Sequence, residues 1–205
     1  MLLVAINGSP RKRGSTAYLL KVAAEEAAQM GVETVTLHAA EGVSATKHPF
    51  CLHCSTPCKG TCYEGSLLAE MFNALRRADA VILGSPVYFG TVSGPLKAFW
   101  DKTRKLRKEF ALYNVVGAAV TTGGSRFGGQ ELTARALQDM MLVQGMIIVG
   151  DGYTGTDAGH FGACGQAPAK SDPEAVKRTR ILVHRVVEVA RATEALRLEG
   201  RASQR

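Results

Sequence analysis

Four of the five cysteines stand within twelve residues and could hold one compact inorganic centre. They are Cys51, Cys54, Cys58 and Cys62, spaced C-x2-C-x3-C-x3-C, whereas Cys164 stands alone. In a reducing compartment such a group favours metal or redox chemistry over structural disulfides. Four thiolates suit a [4Fe–4S] cluster or an all-cysteine zinc site, and the spacing leaves iron–sulfur, zinc and no metal open.

A second chemical group, NGSPRKRGST at 7–16, follows an apolar run and precedes a helix. A strand that leads into a helix N-terminus offers free backbone N–H groups and a dipole that favour an anion. The stretch lacks GxxxxGK[ST] and GxGxxG, so it predicts a phosphate other than that of ATP or a dinucleotide bound in the Rossmann manner. The expected side-chain contributors are Ser9, Arg11, Arg13, Ser15 and Thr16.

Two more loops follow predicted strands and could face the same ligand. The first, at 85–94, offers apolar and aromatic surface that suits a planar ligand. The second, at 121–129, is rich in glycine and lets backbone approach a ligand closely. The candidate ligand-contacting residues are Pro86, Val87, Tyr88, Phe89 and Gly90 in the first loop, and Thr122, Gly123, Gly124 and Ser125 in the second.

The elements that must position these loops alternate between strand and helix. Strands are predicted at 2–6, 32–37, 80–84, 113–122 and 146–150, with helices between them and a long final helix from 172 to about 198. This alternation predicts an α/β, doubly wound, five-stranded parallel sheet of order 2-1-3-4-5. All three loops then lie at the carboxyl ends of the strands, where such sheets bind ligands.

Length and composition predict one domain over 1–198, followed by a polar tail at 199–205. A cysteine-rich loop at 39–65 follows the second strand, and 151–172 is expected to be a loop. The net charge of +7 comes without a nucleic-acid-binding motif, so nucleic acid is not expected as a partner. No apolar stretch approaches the roughly 20 residues of a membrane span, and no signal peptide is evident. These features predict a cytoplasmic protein that does not bind membranes.

Three stretches together resemble the NADPH-dependent FMN reductase family of flavodoxin-like proteins. They are GSPRKRGST, GSPVYFGTVSGPLKAFWDK and TTGGSRFGGQE followed by GMIIVG, in the order that the family shows. The resemblance implies that Ser9, Arg11, Ser15 and Thr16 hold the FMN phosphate. It also implies that 86–90 and 122–125 contact the isoalloxazine. In this family the flavin N5 carries the hydride chemistry, so no catalytic side chain is predicted.

Within that family the cysteine stretch resembles the iron–sulfur flavoproteins, although here three residues, not two, separate the second and third cysteines. The resemblance implies an FMN-dependent oxidoreductase with a [4Fe–4S] cluster. It would pass electrons between NAD(P)H or a reduced carrier and an acceptor, with ferredoxin as a candidate partner, in a homodimer or homotetramer. The basic segment 97–108 could dock an acidic carrier or form a solvated helix face.

Two alternatives stay open. One is a cluster-free NAD(P)H:FMN or quinone reductase whose cysteines hold zinc or nothing. The other is a non-catalytic flavin electron carrier, against which the basic net charge counts because flavodoxins are usually acidic.

Overall fold

Five strands lie side by side in one parallel sheet. They are β1 (Leu2–Asn7), β2 (Glu33–His38), β3 (Ala80–Pro86), β4 (Val116–Gly123) and β5 (Ile147–Ile148). The computed structural model describes residues 1–202, and the strand order is β2-β1-β3-β4-β5. Every residue of β1 and β4 is buried, which explains their uninterrupted apolar runs. The predicted flavodoxin-like sheet order is confirmed.

The fifth position of the sheet differs from the prediction because two short strands share it. Strand β5 pairs with the first residues of β4, whereas β6 (Ala163–Gln166) pairs with its last four. The intervening chain folds back on itself, and a Cβ at Gly150 would collide with the His160 carbonyl. The buried carboxylate of Asp151 holds this fold, accepting from the His160 N–H at 2.5 Å. The expectation of a strand at 146–150 and a loop throughout 151–172 is therefore wrong in detail.

Helices cover both faces of the sheet, as a doubly wound fold requires. Alternate residues of β1 serve the two faces, since Leu3 and Ala5 join one apolar core and Val4 and Ile6 the other. The first core contains α1 and α7, and the second contains α3, α4 and α6. The helices are α1 (Ser15–Gln29), α2 (Ala39–Ser44), α3 (Leu67–Arg77), α4 (Gly94–Asp101), α5 (Arg104–Lys108), α6 (Gln130–Leu142), α7 (Pro173–Ala192) and α8 (Glu194–Ala202). Within residues 1–202 none of them is both long and apolar enough to cross a membrane.

Two helices that the sequence predicts as continuous are interrupted. The segment after the second loop divides into α4 and α5, and the Thr103 hydroxyl donates to the Trp100 carbonyl at the break, 2.6 Å away. The final helix divides into α7 and α8, where the Thr193 hydroxyl donates to the Val189 carbonyl at 2.8 Å. Such hydroxyls compete with the helix's own backbone hydrogen bonds. Helix α8 continues past 198, so the predicted polar tail begins as helix, and 203–205 lie outside the described residues.

Candidate active site

The carboxyl ends of three central strands bring the three candidate loops together. Asn7 at the end of β1 lies opposite Gly84, and Pro86 at the end of β3 lies opposite Thr122. Backbone hydrogen bonds continue the pairing into the loops, from Gly8 N to Gly84 O and from Val87 N to Thr122 O, each at 2.8 Å. The three loops therefore begin as neighbours at one edge of the sheet.

Asn7 organises the first loop, and the sequence analysis did not select it. Its Oδ1 accepts from Ser9 N at 3.0 Å, and its Nδ2 lies 3.1 Å from His38 Nδ1. Ser9 Oγ in turn accepts from Arg11 N at 3.1 Å, so a chain of short local bonds shapes the turn. An asparagine that ends a fully apolar strand was the signal available in the sequence.

The first turn of α1 presents an electropositive surface. Gly14 is the N-cap and no acidic residue lies in the first turn, so no carboxylate there opposes the dipole. Lys12 is occupied by an ion pair with Glu41, whose pKa is lowered chiefly by the hydrogen bond from Lys12. Arg11 and Arg13 are exposed, and within the described side chains neither forms an ion pair. These two guanidinium groups are available to an anion.

The hydroxyls of Ser15 and Thr16 already have protein partners. Ser15 Oγ accepts from Ala169 N at 3.2 Å, which leaves its own proton free to donate. Thr16 Oγ1 lies 2.7 Å from Thr122 Oγ1, with both residues buried. This second bond joins the helix after the first loop to the strand before the third loop. The Thr16 hydroxyl therefore links two elements of the fold, a role that its position in the sequence does not predict.

The second loop ends in a tight turn that projects an aromatic ring. Tyr88 and Thr91 exchange backbone hydrogen bonds of 2.9 and 3.2 Å around it. The two central residues have positive φ, +50° at Phe89 and +80° at Gly90, as in a type I′ turn. The Phe89 ring is fully exposed. Burial of the ring within this chain therefore does not offset the energetic cost of the left-handed backbone conformation. Such an arrangement leaves the ring available to a ligand or another molecule.

Gln130 fixes the third loop, and the sequence analysis did not select this residue either. Its side chain is buried and donates from Nε2 to Ser125 O at 2.5 Å, while Oε1 accepts from Gly128 N at 2.9 Å. Residues 124–127 remain exposed around this anchor. The loop approaches the second one, since a Cβ at Gly129 would lie 3.4 Å from Val87 Cγ1.

A cavity of about 780 Å³ adjoins this edge of the sheet between the third loop, β6 and the first turn of α7. Phe127 and Gln130 line it, but residues of the first loop do not. The predicted phosphate residues therefore lie outside this cavity, on the more open surface beside it. The first loop thus carries exposed positive charge at a helix N-terminus, and the recess lies next to the third loop.

The cysteine-rich stretch lies against the α4–α5 segment. All five cysteines are free thiols, with Cys54 and Cys62 exposed and Cys51 and Cys58 partly buried. Lys102, which is only 2% exposed, directs its Nζ to Cys62 Sγ at 3.8 Å. A short 3₁₀ helix (Thr61–Tyr63) carries the last cysteine of the stretch.

The four thiols of this stretch are suitable ligands for a metal centre, although in the described residues they are not grouped around one point. Within residues 1–202 no three His, Cys, Asp or Glu side chains are grouped so as to hold a metal ion. Two polar groups beside these thiols have no oxygen hydrogen-bond partner in the part of the chain that the structure describes. One is the Lys102 ammonium, and the other is Tyr63 Oη, which is buried without a hydrogen-bond partner among the described residues. Burial first, and the nearby Cys58 second, raise the pKa of Tyr63 to about 12.

Cys164 belongs to a different environment. It lies on β6, where Thr121 Oγ1 donates to its Sγ at 3.3 Å, and burial is the main cause of its raised pKa. Cys164 therefore lies on a strand, apart from the stretch that carries the other four cysteines.

The fold and the three loops define a flavodoxin-like protein. Similar architecture occurs in the structure of RosB with a bound riboflavin phosphate derivative, with a TM-score of 0.72 and 17% identity over 99% of this chain and 85% of that one. It occurs also in the flavodoxin-like WrbA-type protein of Agrobacterium tumefaciens, with a TM-score of 0.65 and 20% identity over 93% and 98% of the two chains.

The chain belongs to the NADPH-dependent FMN reductase family, whose model matches residues 1–160. It is 38% identical to an iron–sulfur flavoprotein of Methanocaldococcus jannaschii, over 93% of this chain and 98% of that protein. An iron–sulfur flavoprotein of Archaeoglobus fulgidus is 36% identical, over 96% and 99%. The protein is thus a flavin-dependent oxidoreductase by family, as the resemblance of its loops implied.

Proposed function

We propose that this protein binds FMN at the three converging loops and passes electrons between NAD(P)H or a reduced carrier and an acceptor. The observation that supports this most is the junction of a helix N-terminus without a side-chain cap and two exposed arginines, which form no ion pair among the described side chains, beside two loops that offer aromatic and glycine surface. FMN supplies the hydride and electron chemistry when bound. The residues of the chain bind it, orient it and limit its contact with water.

The phosphate would lie at the start of α1. Backbone N–H groups of the first turn and the dipole favour a dianion there, and the Arg11 and Arg13 guanidiniums add charge-assisted donors. Ser15 can donate the proton that its bond to Ala169 N leaves free. Ser9 Oγ shapes the turn through Arg11 N. Thr16 contributes its backbone N–H, because its hydroxyl is engaged with Thr122.

The isoalloxazine would lie between the second and third loops. An exposed ring at Phe89 and the partly exposed Tyr88 offer apolar surface to a planar ligand. A Cβ at Gly123 would collide with the Gln130 side chain, whereas the space beside Gly124 is open and would let a ligand approach the backbone. Backbone groups from 86–90 and 122–125 would then meet the polar edge of the ring.

We further propose that Cys51, Cys54, Cys58 and Cys62 hold a [4Fe–4S] cluster. Four free thiols on a short loop match its ligand count, and two of the full-length relatives described above are named iron–sulfur flavoproteins. The loop must close further to bring the thiols together. Closure would give the Lys102 ammonium and the Tyr63 hydroxyl sulfur acceptors. A cytoplasmic location, an acidic carrier such as ferredoxin and a dimeric or tetrameric state belong to the same proposal.

A cluster-free NAD(P)H:flavin or quinone reductase is the second candidate. The separation of the thiols in the described chain favours it, since no three of them are grouped there. An NAD(P)H dehydrogenase (quinone) of Syntrophus aciditrophicus is 41% identical, but over only 39% of this chain.

The test is anaerobic purification followed by a visible spectrum and assays of FMN, iron, acid-labile sulfide and zinc on one sample. We expect flavin bands over a broad iron–sulfur absorption, with about four irons and four sulfides per chain. Cys62→Ala should lose the iron and keep the flavin. Cys164→Ala is the matched control and should keep both, because Cys164 lies on β6.

Other outcomes would contradict parts of the proposal. Flavin with zinc or no metal would overturn the cluster and support the second candidate. A protein that neither contains FMN nor binds it on addition would overturn the flavin site itself. Iron retained in Cys62→Ala but lost in Cys164→Ala would show that the ligands are assigned wrongly.

A further inference from the structure

A cleft of about 560 Å³ separates the cysteine-rich stretch from α5, on a part of the molecule that the flavin loops do not reach. Gln144 and Gly145 at its floor precede β5, so the cleft opens near the amino ends of the strands. We call it the cationic cleft. Its lining includes Cys58 of the cysteine-rich stretch, the cations Arg104, Arg107 and Lys108, and the rings of Phe110 and Tyr113.

The cations of this cleft differ from two neighbouring cations in their pairing. Within the described side chains, Arg104, Arg107 and Lys108 form no ion pair. Lys97 pairs with Asp101 at 2.7 Å, and Lys105 approaches Glu109 at 3.9 Å. No acidic residue lines the cleft in the part of the chain that the structure describes. Of the six cations at 97–108, Lys102 is buried against Cys62 and two others are ion-paired. Among the described side chains the three cations of the cleft are therefore left to attract an acidic partner.

Aromatic side chains stand beside these cations. Phe110 is 58% exposed and Tyr113 47% exposed, and their rings meet edge to face with centroids 6.2 Å apart. Arg107 is held in place because its Nε donates to the Val143 carbonyl at 2.8 Å. Exposed aromatic rings and arginines in one surface are typical of protein–protein contact sites.

We infer that the cationic cleft is the docking site for an acidic, one-electron carrier protein. The inference rests on the proposed function, because Cys58 of the proposed cluster forms one wall of the cleft. A carrier bound there would place its own redox centre close to that loop. Its carboxylates would meet Arg104, Arg107 and Lys108, and such charges mainly govern encounter rate and orientation. The electron lost by the reduced carrier would be the one gained by this protein.

Because the cationic cleft is open to solvent, it is better suited to bind a protein than a small anion. Arg107 and Lys108 are exposed, and the two rings face solvent, so a small ligand would stay largely hydrated. A carrier with a carboxylate-rich face can contact all three cations and cover both rings at once. A nucleotide is the competing occupant, since it would use the same cations and rings.

The probe is a purified, strongly acidic ferredoxin, titrated calorimetrically into the intact holoprotein at about 20 mM and about 300 mM salt. We expect binding at low salt that weakens at high salt. Arg104→Glu/Lys108→Glu should weaken binding at low salt by about tenfold or more. The control, Lys21→Glu/Lys177→Glu, changes the net charge equally on α1 and α7 and should stay within about twofold of wild type.

Different results would contradict the docking site and the proposed function. Equal ferredoxin affinity in the two double variants, or no binding by wild type, would overturn the docking site. So would ADP binding that depends on Arg104 and Lys108 without ferredoxin binding. Flavin, iron and the unfolding temperature are measured on the same samples. A variant that keeps its cofactors and binds ferredoxin normally refutes the docking site alone, whereas samples without flavin refute the proposed function.

Discussion

The ammonium of Lys102 lies 3.8 Å from the sulfur of Cys62 in a position where the lysine is almost fully buried. A buried cation is costly unless an opposite charge or good acceptors surround it. The carboxylate of Asp101 next to it in the chain is already paired with Lys97. Cys62 is therefore the side chain to which this charge is directed, and a negatively charged sulfur would compensate it.

The first prediction concerns the electrostatic effect of this lysine on the proposed cluster. Lys102→Met keeps the length of the side chain and removes the charge. We expect the cluster midpoint potential to fall by tens of millivolts, because a nearby positive charge stabilises the reduced form, and about 59 mV corresponds to a tenfold change for one electron. Redox titration followed by spectroscopy measures this shift.

Lys97→Met is the control for that measurement, since Lys97 is exposed and paired with Asp101. It should change the potential by much less than Lys102→Met. Equal shifts in the two variants would show that general charge, and not the contact with Cys62, determines the potential.

The second prediction separates the anchoring of the third loop from general stability. Gln130→Ala removes the hydrogen bonds that its amide makes with Ser125 O and Gly128 N in the loop and a longer one, of 3.4 Å, to Gly165 O on β6. We expect a loss of about 1–3 kcal/mol in unfolding free energy and a roughly tenfold weaker affinity for FMN, because the loop must be ordered on binding. Chemical denaturation and flavin-fluorescence titration of the apoprotein measure the two effects.

Gln138→Ala is the matched control because Gln138 is equally buried on the same helix and donates to Phe161 O at 2.6 Å. It should lose comparable stability and keep its FMN affinity. If both variants lose affinity equally, the effect of Gln130 is a general one.

Much of the fold could be predicted because burial leaves a direct trace in the residue pattern. Strands β1 and β4 are buried on both faces and read as continuous apolar runs. The fifth position of the sheet, which two short strands share, is less evident in the sequence. Strand β5 has two residues, and β6 contains a glycine and a glutamine, so neither has a strand-like run. Their place depends on the turn at Asp151, which is a tertiary contact.

The loops of the site could be predicted from the sequence, whereas most of the side chains that fix those loops could not. Glycine, serine and arginine in the first loop carry local signals for turns and anions. Gln130 and Lys102 act through partners that lie in the backbone or are distant in sequence, and no local pattern identifies them. Asn7 has only a weak local signal, its position at the end of an apolar strand. Thr16 illustrates the same limit, since its partner Thr122 lies 106 residues away. The roles assigned to these residues in cofactor binding stay predictions.

The third prediction concerns pH. The folded pKa of Tyr63 is raised to about 12, chiefly by burial, whereas an unfolded tyrosine has a pKa of about 10. Below about pH 10 both states carry the neutral phenol; as pH rises from there the unfolded state ionises first, so folding stability falls until about pH 12. Tyr63→Phe should lose less stability than wild type across that window, as measured by denaturant unfolding at several pH values.

Two further results follow for Tyr63→Phe. In the cluster-free protein at neutral pH we expect no loss of stability, because the hydroxyl removed has no hydrogen-bond partner among the described residues. Tyr113→Phe, in which the ring is about half exposed, should keep the wild-type pH profile. An unchanged profile in Tyr63→Phe would contradict the assignment of this titration.

The fourth prediction is that a substitution at Phe89 raises stability and weakens cofactor binding. Its φ of +50° is strained for a bulky residue, and its ring is fully exposed. Asparagine tolerates this backbone better, so Phe89→Asn should stabilise the apoprotein by about 0.5–1 kcal/mol. It should also weaken FMN binding by up to about tenfold, because the ring surface is lost. Phe89→Tyr keeps the ring and the strain and should preserve both properties. If Phe89→Asn gains stability and binds FMN as wild type does, the ring does not contact the flavin, and the strain must serve a contact with another molecule.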